Sequence, residues 1–205
     1  MKFKNYFLLL ICTLFFISCE NPWMKDILDN FQDKKGYGVI KGYNEDAGYK
    51  IGDIGPAGGV IFYIDKAGFT MSDNGQICHY LEAASSDFGI TYLWEAAGGL
   101  DILGTATALG TGRENTTLIL AADNNAPAAR TCADYNNYGF IDWFLPSLDE
   151  LILLCSNNKS LIYSDYWSSS QYDTTSAWHH NVVLGGVSAY ITKISPSAVR
   201  PIRAF

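Results

Sequence analysis

Ser147-Leu148-Asp149-Glu150 stands directly ahead of the apolar run Leu151–Leu154. A Ser hydroxyl accepts the N–H three residues on, while the Glu carboxylate reaches back to the Ser N–H, so this Ser-x-x-Glu box marks a helix start. On both sides of that helix the chain reads as β. Val60–Asp65 and Ile77–Glu82 are strand-like runs joined through Asp73-Asn74-Gly75, a strong turn signal. Tyr166–Ser170, Ala177–Val183, Gly186–Lys193 and Val199–Phe205 follow the helix as further strands, with Leu184-Gly185-Gly186 as a hairpin turn. Two more short helices are expected at Arg113–Asp123 and Pro127–Tyr135, broken by Asn124-Asn125-Ala126-Pro127. Residues 85–112, rich in Gly, Ala and Thr, take no assignment. Strands, then short helices, then antiparallel strands define the α+β class.

The N-terminus reads as a leader. Lys2 and Lys4 precede Phe7–Ile17, an apolar run of 11 residues. A membrane-spanning helix needs roughly 20, so the run matches the hydrophobic region of a signal peptide. It ends at Phe16-Ile17-Ser18-Cys19, which resembles the lipobox of bacterial lipoproteins, with Phe16 where Leu is usual. Residues 1–18 are therefore expected to be removed and Cys19 to carry lipid. Attachment to the membrane would then be through acyl chains alone. Residues 19–48 read as a tether. Asn21 and Pro22 can start a short helix whose Trp23, Ile27, Leu28 and Phe31 share one face; packing on the domain and lying near the membrane both fit it. Residues 49–205 form the domain.

Within that domain Gly52-Asp53-Ile54-Gly55-Pro56-Ala57-Gly58 contains two Gly-X-Y triplets. A collagen helix requires many more, so the segment is read as the turn into the first strand.

Charge narrows the partners. From Cys19 onward 12 cations face 21 acids, a net of −9. Nucleic acid needs a basic face, and no nucleic-acid partner is expected. Polyanions such as heparin are disfavoured unless Lys193, Arg200 and Arg203 cluster. Gly110-Thr111-Gly112-Arg113 lacks the Gly-Lys-Ser/Thr end of a phosphate loop and reads as a turn before a helix. His-Glu-x-x-His, Cys-x-x-Cys and Gly-x-Ser-x-Gly are absent. His179 and His180 would point to opposite strand faces, one packed and one solvated, and so would not share a metal. No metal, cofactor or catalytic residue is assigned. Cys12 leaves with the leader. Cys78, Cys132 and Cys155 then allow one bridge or none, and both states stay open. Trp143 and Trp167 lie in apolar patterns and are expected in the core. Trp178 follows a polar stretch and can face either way.

Several blocks together resemble a known family. They are Ala129-Arg130-Thr131-Cys132-Ala133-Asp134-Tyr135; Asp142-Trp143-Phe144-Leu145-Pro146-Ser147 with Asp149-Glu150-Leu151; Tyr166-Trp167-Ser168-Ser169-Ser170; Ala177-Trp178; and Val199-Arg200-Pro201-Ile202-Arg203-Ala204-Phe205. In this order they resemble the Lcl C-terminal domain family, named for collagen-like adhesins of Legionella. The stretch Gly52–Tyr63 also resembles spirochaete lipoproteins that carry the domain. The resemblance implies a C-type-lectin-like fold and a surface binding or adhesion role, without an agreed set of ligand residues. Leu148 stands where a base is common and Gln171 where an acid is common. The Glu-Pro-Asn, Gln-Pro-Asp and Trp-Asn-Asp motifs of calcium-dependent lectins are missing.

These readings lead to one expectation: a lipid-anchored protein of the cell envelope, at the outer membrane or cell surface, that binds an unknown glycan or protein without catalysis. Its alternatives are a structural envelope lipoprotein and an enzyme on a fold like that of formylglycine-generating enzymes. The ligand is expected at 171–181, where Tyr172, Asp173, Trp178, His179 and His180 combine aromatic faces with hydrogen-bonding groups. The Gly-rich stretch around Trp94 is the next place to look.

Overall fold

Two hairpin-based sheets form because each carries a turn that the chain can make locally. β1 (Val60–Thr70) and β2 (Ile77–Ala83) pair antiparallel. Asp73-Asn74-Gly75 lies between them, and Gly75 adopts φ +72. Arg113 holds this connection from outside through both oxygens of Asp73, at 2.8 and 2.9 Å. β3 (Asp165–Gln171), β4 (Ser176–Asn181) and β5 (Val187–Thr192) make the second sheet, and β6 (Ile202–Ala204) returns to the first. The strand orders are β1-β2-β6 and β3-β4-β5, all antiparallel. Between the sheets in sequence come α1 (Gly112–Ala122), α2 (Pro127–Ala133) and α3 (Leu148–Asn157). This computed structural model describes residues 48–85, 91–96, 98–159, 164–181 and 186–205. The expected leader, Cys19, the tether and Leu184-Gly185 lie outside the described residues.

The α+β class holds, and so do the three helices. Ser147 Oγ accepts the Glu150 N–H while Glu150 Oε2 accepts the Ser147 N–H at 2.8 Å, so the expected capping box is formed. α3 then buries Leu151, Leu154 and Cys155 against β1 and β3. Two expectations differ in extent. β1 runs five residues past Asp65, bending between Ile64 and Phe69, and regular pairing near the C-terminus is confined to Ile202–Ala204. Pro201 interrupts the run before it, since proline has no N–H to give a ladder.

Two apolar clusters fill the interior. One joins Phe62, Leu81, Phe144, Leu151, Leu154, Tyr166 and Ile202. The other joins Trp94, Ile119, Ala129, Leu145, Trp167 and Val199. Trp143 and Trp167 are both core, as expected. Trp143 closes a third, smaller group with Ala57 and Ala84 and meets the Tyr135 ring at 4.9 Å. Trp94 is also wholly buried, its indole N–H donating to Ser168 O at 2.7 Å, so that ring offers no surface to a ligand.

Buried charge stitches the loops to this core. Glu82 is fully buried and accepts the Gly59 N–H at 3.0 Å, the Ala57 N–H at 3.3 Å and Arg203 Nη1 at 3.0 Å. A side chain at Gly55 would overlap the Glu82 carboxylate. The Gly-Pro-Ala-Gly-Gly segment is thus a turn folded over a buried acid, with its glycines where the carboxylate comes close. Cys78, Cys132 and Cys155 are buried and unbridged. Burial pushes the Cys155 thiol up to about 12 and raises those of Cys132 and Cys78, which makes them poor nucleophiles.

Candidate functional site

The Trp-Ser-Ser-Ser block sets the geometry of the second sheet. Trp167 pairs with His179 and Gln171 with Ala177, so four steps along β3 match two along β4. The extra residues form a bulge. Ser168, Ser169 and Ser170 lie in it, fully buried. Small hydroxyl side chains are needed there because each satisfies a buried neighbour. Ser168 Oγ donates to Trp178 O at 2.8 Å. Ser169 Oγ accepts from Asn115 Nδ2 at 3.1 Å. Ser170 Oγ donates to Ala106 O at 2.8 Å and accepts the Leu148 N–H at 3.1 Å. This anchors β3 to α1, to α3 and to the irregular loop before α1.

The next residue, Gln171, extends that anchor to Lys193, which is fully buried. Lys193 Nζ donates to Gln171 Oε1 at 2.8 Å, to Thr174 O at 3.0 Å and to Leu100 O. Glu95, also fully buried, stands 3.5 Å away, and the Trp94 ring lies 4.8 Å from the ammonium. All three ammonium hydrogens have oxygen partners, which a buried charge requires. Gln171 in turn accepts the Ile102 N–H at 2.9 Å and donates to Asp101 at 2.9 Å. One buried lysine therefore ties together β3, the β3–β4 turn and the loop carrying Trp94 to Ile102.

The β3–β4 turn is closed by Asp173, whose Oδ1 accepts the Thr175 N–H at 2.8 Å, the Ser176 N–H at 2.7 Å and the Thr175 hydroxyl at 2.9 Å. The Thr175 N–H comes first among the contacts that hold this carboxyl below its ordinary range. Asp173 builds the turn.

On this frame stands a cluster of three rings. Tyr172, in the turn, stacks on Tyr190 of β5 with centroids 3.8 Å apart and planes within 5°. Trp178 of β4 meets both edge-on, at 5.2 Å from Tyr172 and 5.8 Å from Tyr190. Tyr172 is 47% exposed and Tyr190 50% exposed. Trp178 lies directly across from Tyr190 in the β4–β5 ladder and is half-buried. The hydrogen bond with the Tyr190 phenol pushes the Tyr172 hydroxyl up. The rings are held by strands on one side and by the Asp173 turn on the other, and they present apolar faces with hydroxyl groups to solvent.

The expected site residues therefore divide. Tyr172 and Trp178 come together. Asp173 lies beside them with Oδ1 committed to the turn. His179 and His180 are both buried, which corrects the expectation that one is solvated. β4 is the central strand of its sheet, and at this point both faces are covered. His179 lies edge-on to Trp167 at 6.1 Å, and His180 Nδ1 bonds Ser188 Oγ at 3.0 Å. Burial lowers both imidazoles below their ordinary value. Tyr190 is the member that sequence reading missed. Alternation within Val187–Thr192 was its available signal, but only the register places it opposite Trp178.

The three cations whose clustering would have favoured polyanions do not form a surface patch. Lys193 and Arg200 are fully buried and Arg203 nearly so. Arg200 Nη1 donates to Ala84 O, and Arg203 pairs with Asp142 at 2.6 Å and Glu82 at 3.0 Å. Among the described residues no group of three or more His, Cys, Asp and Glu could hold a metal ion, and no helix is long and apolar enough to cross a membrane. Comparison of the chain with models of known protein families finds no match, and comparison with curated proteins finds no relative.

Proposed function

We propose that the chain is a lipid-anchored cell-envelope protein, tethered through Cys19, whose domain binds a glycan or protein ligand without chemical turnover. The domain is read as an Lcl C-terminal type with a C-type-lectin-like fold. The reading rests on one observation: Tyr172, Trp178 and Tyr190 form an exposed aromatic cluster on a sheet that is otherwise tied down by buried hydrogen bonds. Exposed rings with polar edges suit sugar stacking and protein contact, and a rigid frame lowers the ordering cost of binding. Three buried ionisable groups support the same reading through their structural contacts. Glu150 caps α3, Glu82 holds the glycine turn and Arg203, and Lys193 holds the β3–β4 turn.

The test uses the mature chain with Cys19→Ser, screened against neutral glycans and a panel of envelope and host-surface proteins. A ligand found this way should lose at least about tenfold in affinity in a Tyr172→Ala/Trp178→Ala variant, one lost aromatic contact being worth about 1.4 kcal/mol or more. Full affinity in a folded double variant would place the site elsewhere. In the native host, wild-type chain should take up radiolabelled palmitate and Cys19→Ala should not; an unlabelled wild-type chain removes the anchor from the proposal.

A further inference from the structure

Trp178 and Tyr190 pair two steps from the end of the second sheet at which Ser176 meets Thr192, and the turn at that end supplies Tyr172 and Asp173. Stacking at 3.8 Å with planes within 5° uses one face of each tyrosine, while about half of each side chain stays exposed. An aromatic face is the negative side of the ring quadrupole. Carboxylates stand beside it. The three turn contacts of Asp173 all fall on Oδ1, and the residue is exposed. Its charge therefore stays at the surface, where it acts on the Tyr172 hydroxyl. Asp101, also exposed, is held beside the same turn by Gln171 Nε2 at 2.9 Å. The cation under the turn, Lys193, is fully buried and faces Glu95 at 3.5 Å, so its ammonium is directed to partners inside the domain.

We infer that this cluster recognises arginine on a partner protein or peptide, its guanidinium laid flat on tyrosine and hydrogen-bonded to Asp173. Such recognition rests on the ligand-binding role proposed above and narrows its ligand to a cationic protein segment. Shape selects arginine over lysine. The stacked tyrosines leave flat faces without a gap between them, whereas an ammonium group is best held in a cage of separated rings. A guanidinium is planar and weakly hydrated, stacks on aromatic faces and offers N–H donors in its own plane to a carboxylate. Charge selects a cation over a neutral sugar or an acidic polymer. Asp173 and Asp101 make the border of the stack acidic, and the net of −9 from Cys19 onward attracts a basic partner from a distance. Asp173 is at once the charge and the residue that closes the turn, so the carboxylate is fixed in place before a ligand arrives.

The experiment is a nuclear magnetic resonance titration of the mature chain carrying Cys19→Ser with blocked Gly-Gly-Arg-Gly-Gly and its Lys and Glu counterparts. The arginine peptide should shift the resonances of Tyr172, Trp178 and Tyr190 with a dissociation constant on the order of 1 mM. The lysine peptide should bind at least about twofold more weakly, and the glutamate peptide should not bind. Asp173→Asn keeps an oxygen to accept the Thr175 and Ser176 N–H groups, so the turn and the fold should stand. Its arginine binding should weaken about three- to fivefold. Absence of shifts at these rings with the arginine peptide overturns the proposal, and so does an Asp173→Asn chain that binds arginine as tightly as its parent. If the rings instead bind a neutral glycan equally well in Asp173→Asn and its parent, the arginine assignment fails while the binding role of the rings stands.

Discussion

Lys193 shows how far a single residue can differ from what its type suggests. Lysine is almost never fully buried unless paired, and here it is fully buried with three oxygen acceptors and Glu95. Glu95 Oε2 has no hydrogen-bond partner and stands 3.5 Å from the ammonium. Lys193→Met should therefore destabilise the domain by about 3–5 kcal/mol, the cost of leaving a buried charge unpaired. Adding Glu95→Gln should recover part of that loss. Chemical denaturation of the two variants checks it, and a single variant as stable as the parent would show that the pair contributes nothing. Trp143 is a different case. Its indole N–H is buried without an acceptor, so Trp143→Ala relieves one unsatisfied donor while opening a cavity. The expected loss is near the lower end of the usual range, about 3 kcal/mol.

At the scale of elements, α3 carries the clearest local code and is also tied most widely. The Ser147 hydroxyl serves twice, accepting the Glu150 N–H and donating to Ala108 O at 2.9 Å. Glu150 Oε1 accepts the Gly110 N–H at 2.8 Å. A side chain at Gly112 would overlap the Glu150 carboxylate, which explains why a glycine opens α1. Gly110-Thr111-Gly112 is thus a turn wrapped on a buried acid, and the Thr111 side chain leaves the helix uncapped. Ser147→Ala removes a cap and a second buried hydrogen bond, so it should cost about 2 kcal/mol, the upper end for a cap. A loss below about 0.5 kcal/mol in urea denaturation would mean that Glu150 holds α3 alone.

For the whole molecule, two opposed titrations shape stability. Burial lowers His179 and His180 in the fold, so each binds its proton more readily when unfolded. Their contribution is present above about pH 6.5 and is lost as pH falls through that value towards their folded pKa. Burial pushes Glu150 the other way, up to about 7 from 4.5. The fold then holds a proton that the unfolded chain has released, and stability falls as pH rises between those values. Across that window the two effects partly cancel. Glu150→Gln removes this opposing titration, so its stability should climb with pH more steeply than the parent's, by about 1.4 kcal/mol per pH unit for one proton. Urea midpoints at three pH values between 5 and 7 measure the difference, and parallel profiles would show that Glu150 does not titrate there.

Some of this was present in the sequence because it is local. A capping box spans three residues, an Asp-Asn-Gly turn needs only its own φ angles, and amphipathic spacing is read within one element. The helices, the first hairpin and the α+β order follow from such signals. The core positions of Trp143 and Trp167 follow from their apolar neighbours. The fate of Trp178, His179, His180, Tyr190 and Lys193 does not, because burial depends on partners far along the chain. The bulge at Ser168–Ser170 shifts β3 against β4, and the β4–β5 register sets Tyr190 across from Trp178. Lys193 meets its acceptors at Leu100, Gln171 and Thr174 only after the β3-β4-β5 sheet and the loop at Leu100 are in place. Tertiary packing therefore decided which aromatic rings face water and which cations do not, since a side chain's environment is a property of the assembled core and not of its own segment.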